Sequence, residues 1–169
     1  LWNWEGAPSL AETYYQQSDE VFGLSYTPDG QNLVFAVCSQ EAENGEDCLN
    51  SEVWLLEASS GKLAGEALKG AANLLTNIAI DPGGKLLAAA GWDGEIYLWD
   101  LASRQMVGEP LAGHTDFVTG LNFSPDGARL ASAGRDGQVL VWDIAKRELA
   151  SEPLIGSGDR ITSLDFSPD

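Results

Sequence analysis

A four-residue turn recurs along the chain at a nearly constant interval. It occurs at residues 27–30, 81–84 and 124–127, and a partial fourth copy occupies residues 167–169. The prolines of these turns lie 54, 43 and 43 residues apart. A fixed period of this length is typical of repeat proteins, whose units bury their apolar faces only against their neighbours. The period therefore constrains the fold more than the length of 169 residues does.

Other motifs repeat in the same frame. Trp142-Asp143 recurs 43 residues earlier as Trp99-Asp100, and the Glu-Pro-Leu sequence at 152–154 recurs at 109–111. With these motifs the chain resembles the WD-repeat (WD40) β-propeller family. The resemblance implies an all-β fold, a partial β-propeller of four-stranded antiparallel blades, with about three complete blades and two incomplete ones.

The repeat predicts one partial propeller domain over residues 1–169. Its units are the end of a broken blade (1–16), three blades (17–69 with an insertion at 38–50, 70–112 and 113–155) and the first strand of a further blade (156–169). Fourth strands are expected at 63–69, 106–112 and 149–155, and the last first strand at 160–166. We expect the chain to be part of a longer ring. A four-blade ring closed by joining the two ends is the alternative, but its shared blade lacks a second strand.

The predicted inner strands are apolar at successive positions. Residues 86–90 and 139–142 show this pattern, in place of the strict alternation of a sheet with one exposed face. Strands buried on both faces have this composition, so we expect each sheet to pack between two others.

Charge limits the choice of partner. The net charge is −17, and residues 1–57 contain eleven acidic residues and no lysine or arginine. Such a surface repels phosphate groups, so we expect protein partners with basic surfaces and neither nucleic acid nor membrane. No apolar run reaches the roughly 20 residues of a membrane span, and no leader sequence is recognised.

By resemblance, the third unit contains a hydrogen-bonded structural tetrad. Its members are His114, Ser132, Asp136 and Trp142. Imidazole and hydroxyl groups can satisfy a buried carboxylate, and the indole N–H extends the network. In the second unit these places hold Ala71, Ala89, Asp93 and Trp99, a partial tetrad of Asp93 and Trp99; in the first they hold Gln17, Phe35, the insertion and Leu56. We expect those two blades to depend on apolar packing instead.

The same His, Ser and Asp residues have the composition of a hydrolytic triad. The repeat frame and Trp142 favour the structural interpretation. The sequence has a single histidine, no Cys-x-x-Cys, no phosphate-binding loop and no Gly-x-Ser-x-Gly motif. It therefore predicts no enzyme activity, no catalytic residues, no metal site and no cofactor.

The insertion is flanked by Cys38 and Cys48. A disulfide across its base would stiffen an acidic loop and indicate an oxidising compartment, whereas two free thiols would fit a cytoplasmic protein. Both alternatives stay open, with a cytoplasmic location expected unless the disulfide forms. Calcium binding by the loop oxygens is a weaker alternative to a solvated loop or a docking site for a basic partner; these oxygens belong to Glu41, Glu43, Asn44, Glu46 and Asp47.

Candidate partner-binding residues occupy matched places in successive units. Trp92 and Arg135 each precede the aspartate of a tight turn, and Phe117 and Arg160 each follow an aspartate, which is Asp116 for Phe117. Tryptophan and arginine are enriched at binding hot spots. The resemblance places such turns on the upper face of a propeller.

These features predict a non-catalytic scaffold or sensor module that binds protein partners. The phrasing of the repeats is similar to the WD-repeat tails of large bacterial signalling proteins, and the remaining blades of the same polypeptide are expected as neighbours. The rival interpretation is a ligand-binding or enzymatic propeller with a site in its central channel. Its inner strands would have to supply polar groups, and there they offer mainly Val, Leu, Ala and Asn122.

Overall fold

The computed structural model describes residues 21–43, 48–156 and 160–167, and it folds them into three antiparallel sheets without a helix. The first sheet contains β1 (Val21–Tyr26), β2 (Asn32–Glu41), β3 (Cys48–Glu57) and β4 (Leu68–Ala72). The second contains β5 (Leu75–Ile80), β6 (Leu86–Gly91), β7 (Glu95–Asp100), β8 (Gln105–Met106) and β9 (Leu111–Ala112). The third contains β10 (Val118–Phe123), β11 (Arg129–Gly134), β12 (Gln138–Asp143), β13 (Glu148–Leu149) and β14 (Leu154–Ile155).

The recurring Pro-containing turn joins the first two strands of every sheet. In the third sheet, Ser124 Oγ donates to Asp126 Oδ1 at 2.5 Å and accepts from Arg129 N at 2.9 Å. In the second, the Asp81 carboxylate replaces this hydroxyl and accepts from two backbone N–H groups beyond the turn. Gly127 has a φ of 70°, a left-handed conformation that a side chain would strain. The turn thus recurs because its polar groups are satisfied locally.

The second sheet packs between the other two. Leu87, Ala89 and Trp99 point into a core shared with the first sheet. Their neighbours Ala88 and Leu98 point into a core shared with the third sheet. Successive residues therefore enter different cores, which explains the continuous apolar runs in the sequence. Burying one leucine side chain contributes roughly 1.5–3 kcal/mol, so the sheets stabilise one another.

The fourth strand of the second and third sheets is split, contrary to the continuous strands predicted at 106–112 and 149–155. β8 and β9 both pair with β7, and β13 and β14 both pair with β12. The breaks contain Pro110 and Pro153. Proline has no N–H to donate to the neighbouring strand, which is a sufficient reason for the interruption. In the first sheet, β4 runs to Ala72, beyond the predicted unit boundary at residue 69.

The insertion in the first unit belongs largely to the sheet, which the sequence did not predict. β2 ends at Glu41 and β3 begins at Cys48, and these two residues are paired with each other. Cross-strand backbone pairing therefore continues through most of the segment expected to be a loop. Residues 44–47 lie outside the described residues, as do the predicted broken blade at 1–16 and Gln17.

The first strands of the three sheets are neighbours. β1 contacts β5, and β5 contacts β10. Residues 160–167 continue this series: Ile161 N donates to Gly134 O at 3.2 Å, and Leu164 lies 3.7 Å from the position of a Cβ on Gly120. These residues have no strand assignment, so the strand predicted at 160–166 is wrong in conformation, although its location beside β10 matches a further unit.

One face of the third sheet differs from its counterparts in the other two. Leu68 and Leu111 are 0% and 4% exposed, because each contacts the next sheet. Leu154 occupies the matching place, 43 residues after Leu111, and is 60% exposed. The repeat thus places an apolar side chain, Leu154, where the other two sheets contact a following sheet. In the described part of the chain this side chain stays largely exposed.

Candidate functional site

The third sheet connects four polar side chains by short hydrogen bonds. His114 precedes β10, Ser132 lies on β11, Asp136 lies in the turn after β11 and Trp142 lies on β12. Trp142 Nε1 lies 2.9 Å from Ser132 Oγ, which lies 2.8 Å from His114 Nε2; His114 Nδ1 lies 2.9 Å from Asp136 Oδ2. The residues assigned by resemblance therefore meet in one chain of contacts.

The chemistry of the groups assigns the protons. Asp136 is a carboxylate and only accepts, so His114 carries a proton on Nδ1. Trp142 Nε1 only donates, so Ser132 Oγ accepts from the indole and donates its own proton to His114 Nε2. A neutral imidazole satisfies every group, and the network needs no water.

Asp136 also holds the backbone of the turn. Its carboxylate accepts from Thr115 N at 3.0 Å and from Gln138 N at 3.1 Å, in addition to His114. Burial alone would raise the pKa of the Asp136 carboxyl, but these hydrogen bonds together lower it below the ordinary value. The loop before β10 is thereby tied to the turn between β11 and β12.

Close packing around this network excludes larger residues. A Cβ on Gly134 would lie 2.5 Å from Asp136 Oδ1 and 2.6 Å from His114 Nδ1. The side chain of His114 is 0% exposed and that of Asp136 is 4% exposed. Ser132 is fully buried as well, so its hydroxyl is closed to a substrate. The hydrogen-bond order resembles a hydrolytic triad, but the enclosure supports a structural role.

The second sheet satisfies its turn aspartate in another way. Tyr97 Oη donates to Asp93 Oδ2 at 2.6 Å, and Glu95 N donates to Asp93 Oδ1 at 3.0 Å. Trp99 Nε1 donates to the Lys69 carbonyl oxygen at 3.0 Å. The expectation that this unit depends on apolar packing alone is therefore wrong, because a phenol and a backbone carbonyl replace the missing His and Ser.

Tyr97 was not singled out in the sequence. Burial first, and then the hydrogen bond to Asp93 and its charge, raise the pKa of the Tyr97 phenol. The available signal was positional: Tyr97 lies four residues after Asp93, where the third unit has Leu140 after Asp136. A tyrosine at position 97 is long enough to reach back to the turn aspartate. That aspartate has no histidine partner, because residue 71, at the place of His114, is alanine.

The first sheet has apolar side chains at the corresponding places. Phe35 is 5% exposed and Leu56 is 4% exposed. A different polar link joins this sheet to the next one: Ser51 Oγ donates to Asn73 O at 2.7 Å and accepts from Leu75 N at 3.1 Å. Ser51 was also not singled out, because it directly follows the insertion at 38–50, which interrupts the repeat frame of this unit.

Cys38 and Cys48 form a disulfide with a Cα–Cα distance of 5.7 Å. The disulfide packs against Leu74 and the partly buried Phe22. Cys38 therefore contacts the residue that precedes β5, which is the place held by Phe117 before β10. This hairpin carries Glu41 and Glu43 beyond the disulfide. Asn44, Glu46 and Asp47, the other proposed calcium ligands, lie outside the described residues.

Three of the candidate partner-binding residues form an aromatic stack, defined here as Trp92, Phe117 and Arg135. The rings of Trp92 and Phe117 are 5.1 Å apart and inclined by 4°. The Arg135 guanidinium lies 5.1 Å from the centre of the Phe117 ring. Trp92 is 42% exposed and Arg135 is also exposed. The stack crosses the joint between the second and third sheets and faces solvent. Asp116 is exposed beside it, and its Oδ1 accepts from Phe117 N at 2.7 Å.

A second recurring contact, the arginine clamp, joins neighbouring sheets at their outer strands. Arg104 donates to the carbonyl oxygens of Ala64 and Glu66, and Arg147 donates to those of Val107 and Glu109. Both arginines have left-handed backbones, with φ of 59° and 60°. Glycine lies beneath each guanidinium, where a Cβ on Gly65 or Gly108 would lie 3.0 Å from guanidinium atoms. The donors and acceptors all recur 43 residues apart.

Comparison with protein families agrees with this geometry. Residues 64–100 and 105–143 match the family model described as WD domain, G-beta repeat. The second match contains His114, Ser132, Asp136 and Trp142, and the first contains Asp93, Tyr97 and Trp99. No curated protein matches the chain significantly.

Solved WD40 structures superpose well on the chain. The structure of U3-55K has a TM-score of 0.72 and 26% sequence identity, over 88% of this chain and 42% of that one. The RRP9 WD40 repeats have a TM-score of 0.72 and 25% identity, with the same coverage. The chain thus spans less than half the length of each of these two solved structures. The predicted all-β, partial-propeller fold of antiparallel blades is confirmed.

Three further observations concern a central-channel site, a metal site and a membrane span. Asn122, the polar inner-strand residue of the rival central-channel interpretation, lies on β10. Its Nδ2 donates to Asp165 Oδ1 at 2.5 Å. Among the described residues, no cluster of three His, Cys, Asp or Glu side chains is arranged to hold a metal ion. Within those same ranges, no helix is long and apolar enough to cross a membrane.

Proposed function

We propose that this chain is a protein-interaction module whose partner binds at the aromatic stack. The stacked rings of Trp92 and Phe117, with the Arg135 guanidinium over the Phe117 ring, carry the proposal. Exposed tryptophan and arginine contribute strongly to binding when a partner removes water from them. The tetrad beneath holds the turn of Arg135, and so keeps this surface rigid before a partner arrives.

The charge of the chain supports a protein partner. A net charge of −17 opposes binding to phosphate backbones or anionic membranes, and it attracts basic surfaces at long range. In its finer form, the proposal is that the module senses or holds a partner for a larger, bacterial-type signalling polypeptide, with further blades as its neighbours.

A selection from a random-peptide display library tests the proposal. We expect peptides that bind the protein and lose affinity at least tenfold for the variant Trp92→Ala with Arg135→Ala, since hot-spot truncation costs about 2 kcal/mol or more. Tyr26→Ala is the matched control, because Tyr26 is an exposed aromatic residue on β1 beside a Pro-containing turn.

The contrary result separates the two interpretations of the fold. Peptides or small ligands that bind equally to the unchanged protein and to the Trp92→Ala, Arg135→Ala variant, and lose affinity for Asn122→Ala, would support a site in the central channel. Circular dichroism of every variant would show whether a loss of binding reflects a loss of folding.

We further propose that the module functions in an oxidising compartment, outside the cytoplasm. The disulfide between Cys38 and Cys48 supports this location, since cytosolic proteins rarely keep structural disulfides. Thiol titration of the denatured protein, prepared without reductant, should find no free thiols, and two after reduction. Two free thiols before reduction would favour the cytoplasm.

A further inference from the structure

Two exposed arginines, Arg135 and Arg160, flank one backbone hydrogen bond at the edge of the aromatic stack. Ile161 N donates to Gly134 O at 3.2 Å. The carbonyl of Gly134 lies in the peptide group that joins Gly134 to Arg135. The N–H of Ile161 lies in the peptide group that joins Arg160 to Ile161. One backbone hydrogen bond therefore joins the peptide groups next to Arg135 and Arg160, which we call the arginine pair.

The arginine pair has no acceptor among the described residues. Arg135 lies over Phe117 and uses only its backbone N–H in a hydrogen bond, to Phe117 O. Both side chains are exposed, and neither forms an ion pair or a side-chain hydrogen bond within the described ranges. By contrast, the guanidinium groups of Arg104 and Arg147 each donate to two carbonyl oxygens in the arginine clamp. The pair therefore offers guanidinium N–H donors that have no acceptor in the part of the chain that the structure describes.

Asp116 and Asp136, the described carboxylates near the arginine pair, form no ion pair with it. Asp136 is buried and accepts hydrogen bonds from His114, Thr115 N and Gln138 N. Asp116 is exposed and accepts from Phe117 N, without an ion pair to either arginine. Two cations so placed are notable in a chain with only nine lysines and arginines against twenty-six acidic residues. A ligand carboxylate is the missing acceptor, because guanidinium groups bind carboxylates through paired N–H donors.

The aromatic stack supplies an apolar surface beside the pair. The Trp92 ring is 42% exposed, and its indole N–H has no partner among the described residues. A side chain placed on this ring would keep the adjacent carboxylate within reach of the guanidinium groups. The surface thus combines one apolar contact with one anionic contact.

We propose that the arginine pair and the aromatic stack together bind a peptide segment that carries a glutamate or aspartate next to an aromatic or large apolar residue. The inference rests on the proposed function and specifies the chemistry of the partner. The basic surface expected from the net charge acts at long range, whereas this carboxylate acts at contact, so the partner segment has mixed charge.

A single-stranded nucleic acid is the competing ligand for arginine beside an aromatic ring. Its affinity depends on the neutralisation of several phosphates, and this patch offers two cations on a strongly acidic protein. The charge balance therefore favours the peptide.

The test uses a short peptide in which glutamate alternates with phenylalanine and glycine, its glutamine counterpart, and single-stranded oligothymidylate. Fluorescence anisotropy would measure binding to the whole protein. We expect the glutamate peptide to bind about tenfold more tightly than the glutamine peptide, since a hydrogen bond to a charged group contributes about 1.5 kcal/mol or more. Arg135→Gln with Arg160→Gln should abolish this difference.

Lys85→Gln with Lys146→Gln is the matched control, because it removes the same charge from exposed positions away from the stack. It should preserve the preference for glutamate. Equal binding of the two peptides, or preferential binding of oligothymidylate, would overturn the inference. If Trp92→Ala still abolished peptide binding in that case, the proposed function would survive; if neither pair of variants changed any binding, both proposals would fail.

Discussion

The second and third sheets solve the same problem with different side chains. Each has an aspartate in the turn before its third strand, at positions 93 and 136. Asp136 accepts from His114, which continues through Ser132 to Trp142, whereas Asp93 accepts from Tyr97 of the following strand. The comparison teaches that the fold requires donors for a buried carboxylate, and that the identity of those donors can change.

The sheets differ in how far each network reaches. His114 and Thr115 lie before β10, so the third sheet ties a preceding loop to its turn. Tyr97 and Glu95 lie after the turn of the second sheet, so most of its bonds stay within one hairpin. Two bonds reach the earlier strand β4, from Ala72 N to Tyr97 Oη at 3.3 Å and from Trp99 Nε1 to Lys69 O at 3.0 Å, and neither involves Asp93. We therefore expect the third sheet to lose more stability when its aspartate is removed.

Replacing Asp136 with alanine should have the largest effect. Two backbone N–H groups and the His114 Nδ1–H would lose their acceptor in a buried site, and we expect about 3 kcal/mol of destabilisation. Asp93→Ala should cost about 1 kcal/mol, because Glu95 Oε2 already lies 3.3 Å from Tyr97 Oη and offers another acceptor. Urea denaturation would measure both free energies of unfolding. Equal losses would contradict the difference between the sheets.

The arginine clamp provides a test in which the two joints should behave alike. Arg104→Ala and Arg147→Ala each remove a guanidinium that bonds two carbonyl oxygens. We expect about 2 kcal/mol of destabilisation from each, measured by urea denaturation.

The matched controls are Arg104→Lys and Arg147→Lys, which keep the charge. Because an ammonium group lacks the planar pair of donors, we expect only partial recovery. Unequal losses from the two alanine variants would mean that the joints, and not only the turns, differ in strength.

A transplant can ask whether the two networks are interchangeable. The variant His114→Ala, Ser132→Ala and Leu140→Tyr gives the third sheet the residues of the second at those places. We expect the added tyrosine to recover about 1 kcal/mol relative to the same variant with Leu140 unchanged, through a bond to Asp136. Thermal unfolding would measure the recovery. No recovery would show that the phenol requires the local backbone of the second sheet.

The pH dependence of stability should also distinguish the two networks. We expect this effect to be the smallest of the four. The pKa of Asp136 is lowered, so its stabilisation is complete above the unfolded pKa near 4 and is lost as pH falls through the lower folded value. The pKa of Tyr97 is raised, so its stabilisation is complete below the unfolded pKa near 10 and is lost as pH rises beyond that value.

Asp136→Asn should therefore flatten only the acid side of the stability profile, and Tyr97→Phe only the alkaline side. Denaturant titrations across the pH range would measure the two slopes. Asp29, Asp126 and other carboxyls with lowered pKa affect the acid side of every variant, so the difference from the unchanged protein is the informative quantity. A change on the opposite side would contradict the assignment.

Much of the architecture could be predicted because the repeat is a property of the chain itself. Proline and glycine fix the turns locally, and apolar residues at successive positions require both faces of a strand to be buried. The tetrad of the third unit followed from its resemblance to a known motif. The split fourth strands were missed, although Pro110 and Pro153 were visible, because the effect of proline on pairing depends on which neighbour its strand faces.

The sequence by itself determined the period, the turns and the strands that must stack. Only the tertiary structure decided which side chains meet: Tyr97 and Asp93 within the second sheet and, across the joints, the carbonyl oxygens for Arg104 and Arg147 and the ring of Phe117 for Trp92. The physical reason is range. Backbone preferences act between neighbouring residues, whereas the contacts of Arg104 and Arg147 join groups up to 40 residues apart, which meet only after the sheets have packed.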